Sequence, residues 1–229
     1  MQWHWPLGAI IRQTGGPLFK ITYPIALSEM LWGTSAFVYV VIFTRISTEA
    51  LASSQIVTTI ENLFIVAASG LAPAAVATVG QALGTDATRN AQQQAKRVLR
   101  AAIVAGFIFT VILFGVSFLL PPLYPRVDKS VLNLAFWGIL IVAAVQPAKV
   151  VNNVLGTGIL PSDGDTKFVL LSHVLSSYAI GLPVAALTAV GLGFGALSVF
   201  ASRALEELSK STILYRRYRM RSWQRKLET

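Results

Sequence analysis

Three charged side chains, Glu29, Glu61 and Lys149, lie in stretches of the sequence that are otherwise strongly apolar. A carboxyl group in such surroundings can take up and release a proton or hold a cation, and a nearby lysine can neutralise it. Lys149 follows Pro147 by two residues, and a proline within a helix frees a carbonyl group and kinks the chain. This combination is typical of an ion or substrate pathway through a membrane.

The depth of each charge follows from the predicted helices. Glu29 and Glu61 lie ~14 Å and ~16 Å from the ends at which their helices enter the bilayer, at the usual helical rise. Both acids are therefore expected near the middle of the membrane. We expect the partner of Lys149 to be an acid on a neighbouring helix. Glu29 lies at a depth that Lys149 can reach, and the sequence leaves open whether the two face each other. The neighbouring Asn152 and Asn153 can hydrogen-bond between helices or line a wet cavity, and we include them in the pathway.

A second group of charges lies close to the end of the chain. Arg203, Glu206, Glu207 and Lys210 are spaced so that three of them share one helical face, and Arg203 and Glu207 can neutralise each other within the helix. We interpret Arg203, Glu206 and Glu207 as structural ion pairs, with a role in transport as the alternative. His173 is expected to be a hydrogen-bonded interior residue, and a proton relay is the alternative.

Enzymatic chemistry has no support in this sequence. It contains no cysteine, no set of residues with metal-ligand spacing and no nucleophile beside a base. The glycines at 191 to 195 lack the strand and helix that a nucleotide-binding loop needs, and we interpret them as a tight turn. We therefore predict no catalytic residue, no metal site and no cofactor other than H+ or Na+ as a coupling ion.

The elements that position these residues are membrane helices. The chain is 54% hydrophobic and 13% charged, with a mean hydropathy of +0.63, and several charge-free runs are long enough to cross a bilayer. We predict an all-α integral membrane protein with six transmembrane helices, and Pro73 permits a bend in the second of them. The predicted helices cover 18 to 44, 50 to 83, 95 to 120, 130 to 156, 166 to 190 and 194 to 216.

The basic residues predict the orientation. Of 19 Lys and Arg residues, 14 fall on the side that holds both termini and three on the opposite side, so both termini are expected in the cytoplasm of a cell inner-membrane protein. Residues 1–17 then form a cytoplasmic segment, 18–216 a six-helix lobe and 217–229 a basic cytoplasmic tail. The tail is expected to anchor the chain at the anionic leaflet rather than to bind nucleic acid. No signal peptide is expected at the start.

Four segments, taken together, resemble one transporter family. They are Tyr23–Glu29 with Ile46–Ala52, the loop Gly80–Asp86, the turn Gly158–Phe168, and Glu206–Lys210 with Trp223. In this order they are similar to the multidrug and toxic compound extrusion (MATE) family, in particular to its bacterial branch of DNA-damage-inducible efflux proteins. Pro161 and Asp163 replace the arginine and glycine usual in the third segment.

The resemblance implies a fold and an activity. MATE proteins have twelve helices in two six-helix lobes, and this chain resembles the second lobe only. Substrate lies between the lobes, and exchange with sodium or protons drives export by alternating access. A single lobe would therefore need a partner, either a second copy of this chain or a separate first-lobe chain.

The family pattern is incomplete in this sequence. Trp32 stands where many members carry an ion-binding glutamate, and Val150 stands near the position of a second acid. The leading hypothesis is nevertheless a half-size efflux module for small organic compounds, coupled to cations or protons. The alternatives are a lobe without transport activity, either truncated or an assembly partner, and a flippase for lipid-linked oligosaccharides.

Overall fold

The structure, a computed structural model, describes residues 7–85 and 88–220. Asp86 and most of the predicted basic tail, including Trp223, lie outside these residues. Within the described ranges all regular structure is helical. The elements are α1 (Leu7–Ile46), α2 (Thr48–Ala68), α3 (Leu71–Gly84), α4 (Thr88–Phe118), α5 (Leu120–Leu123), α6 (Lys129–Ala144), α7 (Gln146–Asn153), α8 (Thr166–His173), α9 (Leu182–Ala185) and α10 (Ala196–Arg219).

Wider π-helical segments continue three of these helices. Val154–Ile159 follows α7, and Val174–Gly181 and Ala186–Gly191 flank α9. We call α6, α7 and the segment after them the fourth span, and the run from α8 to Gly191 the fifth span. Such π-helical turns are uncommon and occur frequently at functional sites.

Length and composition support most of the predicted crossings. Four helical stretches of the described residues are long and apolar enough to cross a bilayer, and the bent pair formed by α6 with the helix after it makes a fifth. The sixth predicted crossing corresponds to α10, which is long enough to cross a bilayer but carries more charged residues than the other stretches. The fold is therefore an all-helical membrane protein, as the composition predicts. The first helix begins at Leu7, well before the predicted residue 18.

Short connections join the helices. The Ser47 side chain caps α2 by accepting a hydrogen bond of 3.1 Å from the Ala50 amide, so α1 and α2 are separated by a single residue. Gly193 and Gly195 have φ angles of 70° and 75°, which side chains disfavour, and they form the predicted tight turn before α10.

The predicted proline kink is present. The two parts of the fourth span meet at 54°, and Pro147 lies in the first turn of α7. Because proline has no amide hydrogen to donate to the Ala143 carbonyl, the Thr110 hydroxyl of α4 donates to that oxygen instead, at 2.8 Å. A Cβ atom on Gly106 would lie 2.5 Å from the Pro147 Cα atom, so glycine lets α4 pack directly against the bend. The second predicted span is likewise interrupted, between α2 and α3.

Two apolar clusters fill the interior. The aromatic core lies between α1, α2, α6 and α10, and its members include Phe43, Phe64, Ile139 and Phe200. The Phe43 and Phe200 rings are 5.0 Å apart between centroids. The small-residue core lies between α3, α4 and the second half of the fourth span. Its members include Ala75, Ala82, Ala91, Ala95 and Ala102. Helices approach more closely in the second core because alanine side chains are short.

Candidate functional site

Six charged side chains from three helices are turned into the lobe. We define the buried charge cluster as Glu61 of α2, Lys149 of α7, and Arg203, Glu206, Glu207 and Lys210 of α10. All six are buried or half-buried. Three acids face three bases, so their formal charges cancel while the histidine beside them is neutral. Balanced charge is what a group of ions far from water requires.

Glu61 and Lys149 form the central ion pair of the cluster. The Arg203 guanidinium adds a second contact to Glu61, with 3.5 Å between Nη2 and Oε2. The Glu61 side chain is only 3% exposed. The partner of Lys149 is therefore an acid on a neighbouring helix, as expected, but it is Glu61 and not Glu29. The reason is helix arrangement, since α2 packs along α6 and brings Glu61 to the fourth span, whereas α1 packs mainly against α8 and α2.

Arg203 and Glu207 do not neutralise each other as predicted. Arg203 reaches across to Glu61, and its guanidinium lies 5.8 Å from the centre of the Tyr39 ring. Glu207 instead accepts a hydrogen bond of 2.8 Å from the amide nitrogen of Asn152, which also donates to the Glu207 backbone carbonyl at 2.9 Å. Asn152 therefore ties α7 to α10 inside the lobe.

Glu206 is held by hydroxyl groups. The Tyr39 hydroxyl of α1 donates to one carboxylate oxygen at 2.6 Å, and the Ser177 hydroxyl donates to the other at 2.5 Å. Glu206 was predicted to be part of a structural ion pair, and the structure gives it these neutral contacts instead. A Cβ atom on Gly181 would lie 2.6 Å from the Glu206 Oε2 atom and would also clash with the Tyr39 hydroxyl. Glycine at this position therefore leaves room for the bond.

His173 continues this set of contacts. Its Nε2 atom lies 3.5 Å from the Ser177 hydroxyl, and its Nδ1 atom lies 3.2 Å from the Lys210 ammonium nitrogen. The predicted interior, hydrogen-bonded histidine is confirmed. Sequence reasoning missed Tyr39 and Ser177. Ser177 follows His173 by four residues, a helical spacing that could have identified it, whereas Tyr39 is 167 residues from Glu206 in the chain and gave no such signal.

Asn153 faces a different surface from its neighbour Asn152. It lines an open groove of about 510 Å³ between α3 and the fourth span. The Oδ1 atom of Asn153 is buried and has no hydrogen-bond partner among the described residues. The groove is mostly apolar, and its lining residues are Ser69, Ala72, Pro73, Val76, Ala77, Asn153 and Thr157.

A row of polar side chains leads along α2 towards this groove. Gln55, Thr59, Asn62 and Ser69 are all exposed, and their spacing of four, three and seven residues puts them on one helical face. We call these four residues the outer polar stripe. Polar amides are disfavoured against lipid hydrocarbon, so a stripe at this depth indicates contact with water or with other protein.

Glu29 lies apart from the charge cluster. Its side chain is exposed on α1, whereas Glu61 is buried. Of the five residues predicted for a pathway, the structure brings Glu61, Lys149 and Asn152 together in the interior. It leaves Glu29 and Asn153 at the surface of the lobe. Across residues 7–85 and 88–220 no three acids or histidines are arranged to hold a metal ion.

The turn between the fourth and fifth spans is fixed to the end of α10. The Arg217 side chain donates to both oxygens of Asp165, at 2.6 and 3.2 Å, and its guanidinium lies 4.8 Å from the centre of the Phe168 ring. Donating this hydrogen bond to the buried Asp165 raises the pKa of Arg217 further above its already high ordinary value. Arg217 therefore stays charged and holds the turn at any physiological pH.

Comparison with known proteins identifies the family to which these features belong. The MatE family matches residues 24–204, which include five of the predicted spans except the start of the first, and about half of the sixth. The chain belongs to the MatE family. Members of this family are transporters, not enzymes. A 71-residue stretch of the chain is also 37% identical to YisQ, an uncharacterised transporter of Bacillus subtilis (strain 168). This stretch is 31% of this chain and 16% of YisQ.

Solved MatE structures share the fold of this lobe. A transporter of the MOP superfamily from Pyrococcus furiosus aligns over 89% of this chain with a TM-score of 0.80 at 20% identity. A MATE protein in complex with MaD3S aligns over 89% with a TM-score of 0.81 at 20% identity. This chain spans only 44% and 45% of those two proteins. The described fold therefore corresponds to one lobe of a MATE transporter.

Proposed function

We propose that this chain is a half-size MATE transport module that exports small organic compounds in exchange for protons or cations once it is paired with a second lobe. In this proposal it takes the place of the second lobe and belongs to the DNA-damage-inducible branch, which its Gly164–Phe168 turn resembles. The paired lobe is a second copy or a separate first-lobe chain. The lobe sits in the cell inner membrane with residues 1–17 and the basic tail 217–229 in the cytoplasm.

The observation that carries this proposal is the outer polar stripe. Gln55, Thr59 and Asn62 are exposed on α2, within a stretch long and apolar enough to cross a membrane, while the six charges of the buried charge cluster lie in the interior. A lobe that faced lipid on every side would have no use for exposed amides there. The stripe and the groove beside Asn153 are therefore proposed to form the wall of the transport cavity, with Glu29 as its exposed acid.

The absence of cysteine from the sequence permits a direct test of this wall. We expect single variants Thr59→Cys and Asn62→Cys to react with a water-soluble thiol reagent in membrane vesicles. Val104→Cys and Val111→Cys are matched controls, because both valines are exposed, at 58% and 70%, on the part of α4 after Arg100, which carries no charged residue. Equal protection of all four cysteines would contradict the assignment of a water-filled cavity.

Transport itself is tested at Glu29. We expect Glu29→Gln to reduce export of organic compounds from cells or vesicles while the protein is still inserted at the normal level. The amide has nearly the same shape as the acid, but it can neither carry a proton nor attract a cation. Unchanged export by a well-expressed variant would remove Glu29 from the mechanism.

A lobe without transport activity is the second candidate function. It is favoured by Trp32 and Val150, which stand where the family resemblance leads us to expect acids and are respectively 55% and 3% exposed. Native mass measurement in detergent separates the candidates, because a strict monomer has no second wall for a cavity. A flippase for lipid-linked oligosaccharides is less well supported, since Lys149 and Arg203 are both engaged by Glu61 and are not free to bind pyrophosphate.

A further inference from the structure

Glu206 differs from the other two acids of the buried charge cluster. Glu61 contacts two cationic side chains, and Glu207 is paired with an amide, whereas Glu206 is contacted by the hydroxyl groups of Tyr39 and Ser177. Among the described residues no lysine or arginine lies within ion-pair distance of it. Adding a proton to Glu206 or to Glu207 therefore breaks no direct ion pair, whereas Glu61 would lose two. Glu206 differs from Glu207 in that hydroxyl groups contact it, and a hydroxyl group can both donate and accept a proton.

A chain of donors leads to this carboxylate. The Lys210 ammonium group can only donate, so the His173 Nδ1 atom must accept from it. The neutral imidazole then carries its hydrogen on Nε2, facing the Ser177 oxygen at 3.5 Å. Ser177 in turn donates to Glu206. Every donor in the sequence Lys210, His173, Ser177 is thus directed towards Glu206.

We propose that Glu206 is a proton acceptor within this lobe and that Lys210, His173 and Ser177 deliver the proton to it. The proposal rests on the proposed function, because it names H+ as the ion that the transporter exchanges and takes Lys210 to lie towards the cytoplasm. Protons enter the cell as compounds leave it, so during transport the chain works in reverse and releases the Glu206 proton to the cytoplasm. Uptake through the chain is the same transfer in the opposite direction, and it is the direction that a pH jump measures. This role differs from the one predicted from sequence, in which Glu206 only formed a structural ion pair.

The transfer moves one proton and no other atoms. An N–H bond of the Lys210 ammonium breaks and an N–H bond forms at His173 Nδ1. The Nε2–H bond of the same ring breaks as an O–H bond forms at Ser177, and the original Ser177 O–H proton moves to the Glu206 Oε1 atom. The neutral lysine amine then takes a proton from water. Resetting requires the ring to change tautomer and the hydroxyl to rotate.

Protonation of Glu206 changes the charge of the whole cluster. The titratable and charged groups of the region around it lie on five helices: Tyr39 on α1, Glu61 on α2, Lys149 on α7, His173 on α8, and Arg203, Glu207 and Lys210 on α10. With neutral histidine these groups and Glu206 balance, so one added proton leaves one excess positive charge. This excess charge is expected to favour a different arrangement of α1 and α10 around the Tyr39 contact. Proton uptake would in this way be linked to a change of conformation.

Infrared spectroscopy of the purified full chain in detergent tests the acceptor. The stretching band of a protonated carboxyl group is expected to grow as the pH is lowered. Glu206→Gln should remove one component of this band, and Glu207→Gln, a change at the adjacent acid, should retain that component. A titrating band that persists unchanged in Glu206→Gln overturns the proposal.

The delivery path is tested by a matched pair of serines. Ser177→Ala removes a link of the chain, and we expect it to slow proton uptake after a pH jump by at least about tenfold. Ser176→Ala should leave the rate unchanged, because the Ser176 hydroxyl donates to the Ser172 carbonyl at 2.7 Å and is outside the chain. Ser177→Thr should restore fast uptake. A wild-type rate in Ser177→Ala contradicts the proposed path.

These measurements also separate the inference from the proposed function. The carboxyl band and its rate are recorded without any transported compound, so a titrating Glu206 in a protein that exports nothing would leave the inference standing and refute the proposed function. If Glu206→Gln does not fold, the band of Ser177→Ala serves instead. It should shift in frequency because the carboxyl group loses a hydrogen bond, and an unshifted band would overturn the assignment.

Discussion

The two apolar cores of the lobe are built in different ways. In the aromatic core large side chains interlock, as where Phe43 and Phe200 meet at 5.0 Å. In the small-residue core the side chains between the helices are short, as at Ala75 and Ala95, so the helix backbones can pack close to each other. Aromatic rings can turn or shift when a neighbour changes, but a backbone can move only with its whole helix. The aromatic core should therefore tolerate an added methyl group that the small-residue core does not.

The buried charge cluster lies beside both cores, and its loss should have the largest effect. We expect Lys149→Met to destabilise the lobe by about 3–5 kcal/mol, because it leaves the buried Glu61 without its closest cation. Thermal denaturation in detergent measures the change. The double variant Lys149→Met with Glu61→Gln removes both charges and should recover most of the loss. A single variant as stable as the wild type would show that the pair is not needed for packing.

Matched glycine variants compare the two ways of packing directly. Gly106→Ala should cost about 1–3 kcal/mol, since the added methyl group meets the Pro147 backbone at 2.5 Å and only movement of a helix relieves it. Gly138→Ala should cost less, because its nearest neighbours are the side chains of Phe200 and Val57, at 2.8 and 3.0 Å. The melting temperatures of the two variants decide the order. Equal or reversed losses would contradict the comparison of the cores.

A smaller effect is expected at the turn before α8. Arg217→Ala should reduce stability by about 1 kcal/mol, because the buried Asp165 loses a bidentate partner while the site stays partly open to water. Arg216→Ala is the matched control, since Arg216 is exposed and should be neutral. The same denaturation assay applies. Equal melting temperatures for the two variants would mean that Arg217 does not hold the turn.

The sequence alone was sufficient for the helices and for several of their irregularities. Charge-free runs predicted the spans, Pro147 predicted the kink, and the glycines at 193 and 195 predicted the turn before α10. These features are local, since each depends on residues within one or two turns of the chain. The ends of helices were less well predicted. The first helix begins at Leu7 and not near residue 18, because the polar residues at its start do not prevent helix formation.

The partners of the charges could not be read from the sequence. Composition identified Glu61, Lys149, Arg203 and Glu206 as groups expected to face the interior. It left the partner of Lys149 open, with Glu29 within reach, and it paired Arg203 with Glu207. Which acid meets which base depends on the order in which helices pack and on how each is rotated about its axis. Neither quantity leaves a trace in a single sequence, because many rotations bury the same number of apolar side chains.

The amino-acid sequence by itself thus determined that this chain is helical and membrane-embedded, that a few charges must be buried in it, and that it resembles one lobe of a MATE transporter. Only the tertiary structure decided that Glu61 forms an ion pair with Lys149 and that Glu206 accepts hydrogen bonds from Tyr39 and Ser177. It also decided that Asn153 lines a groove while Asn152 faces the interior. The reason is that residue type indicates which segments are buried, whereas the pairing of buried charges depends on distances between segments that are far apart in the chain.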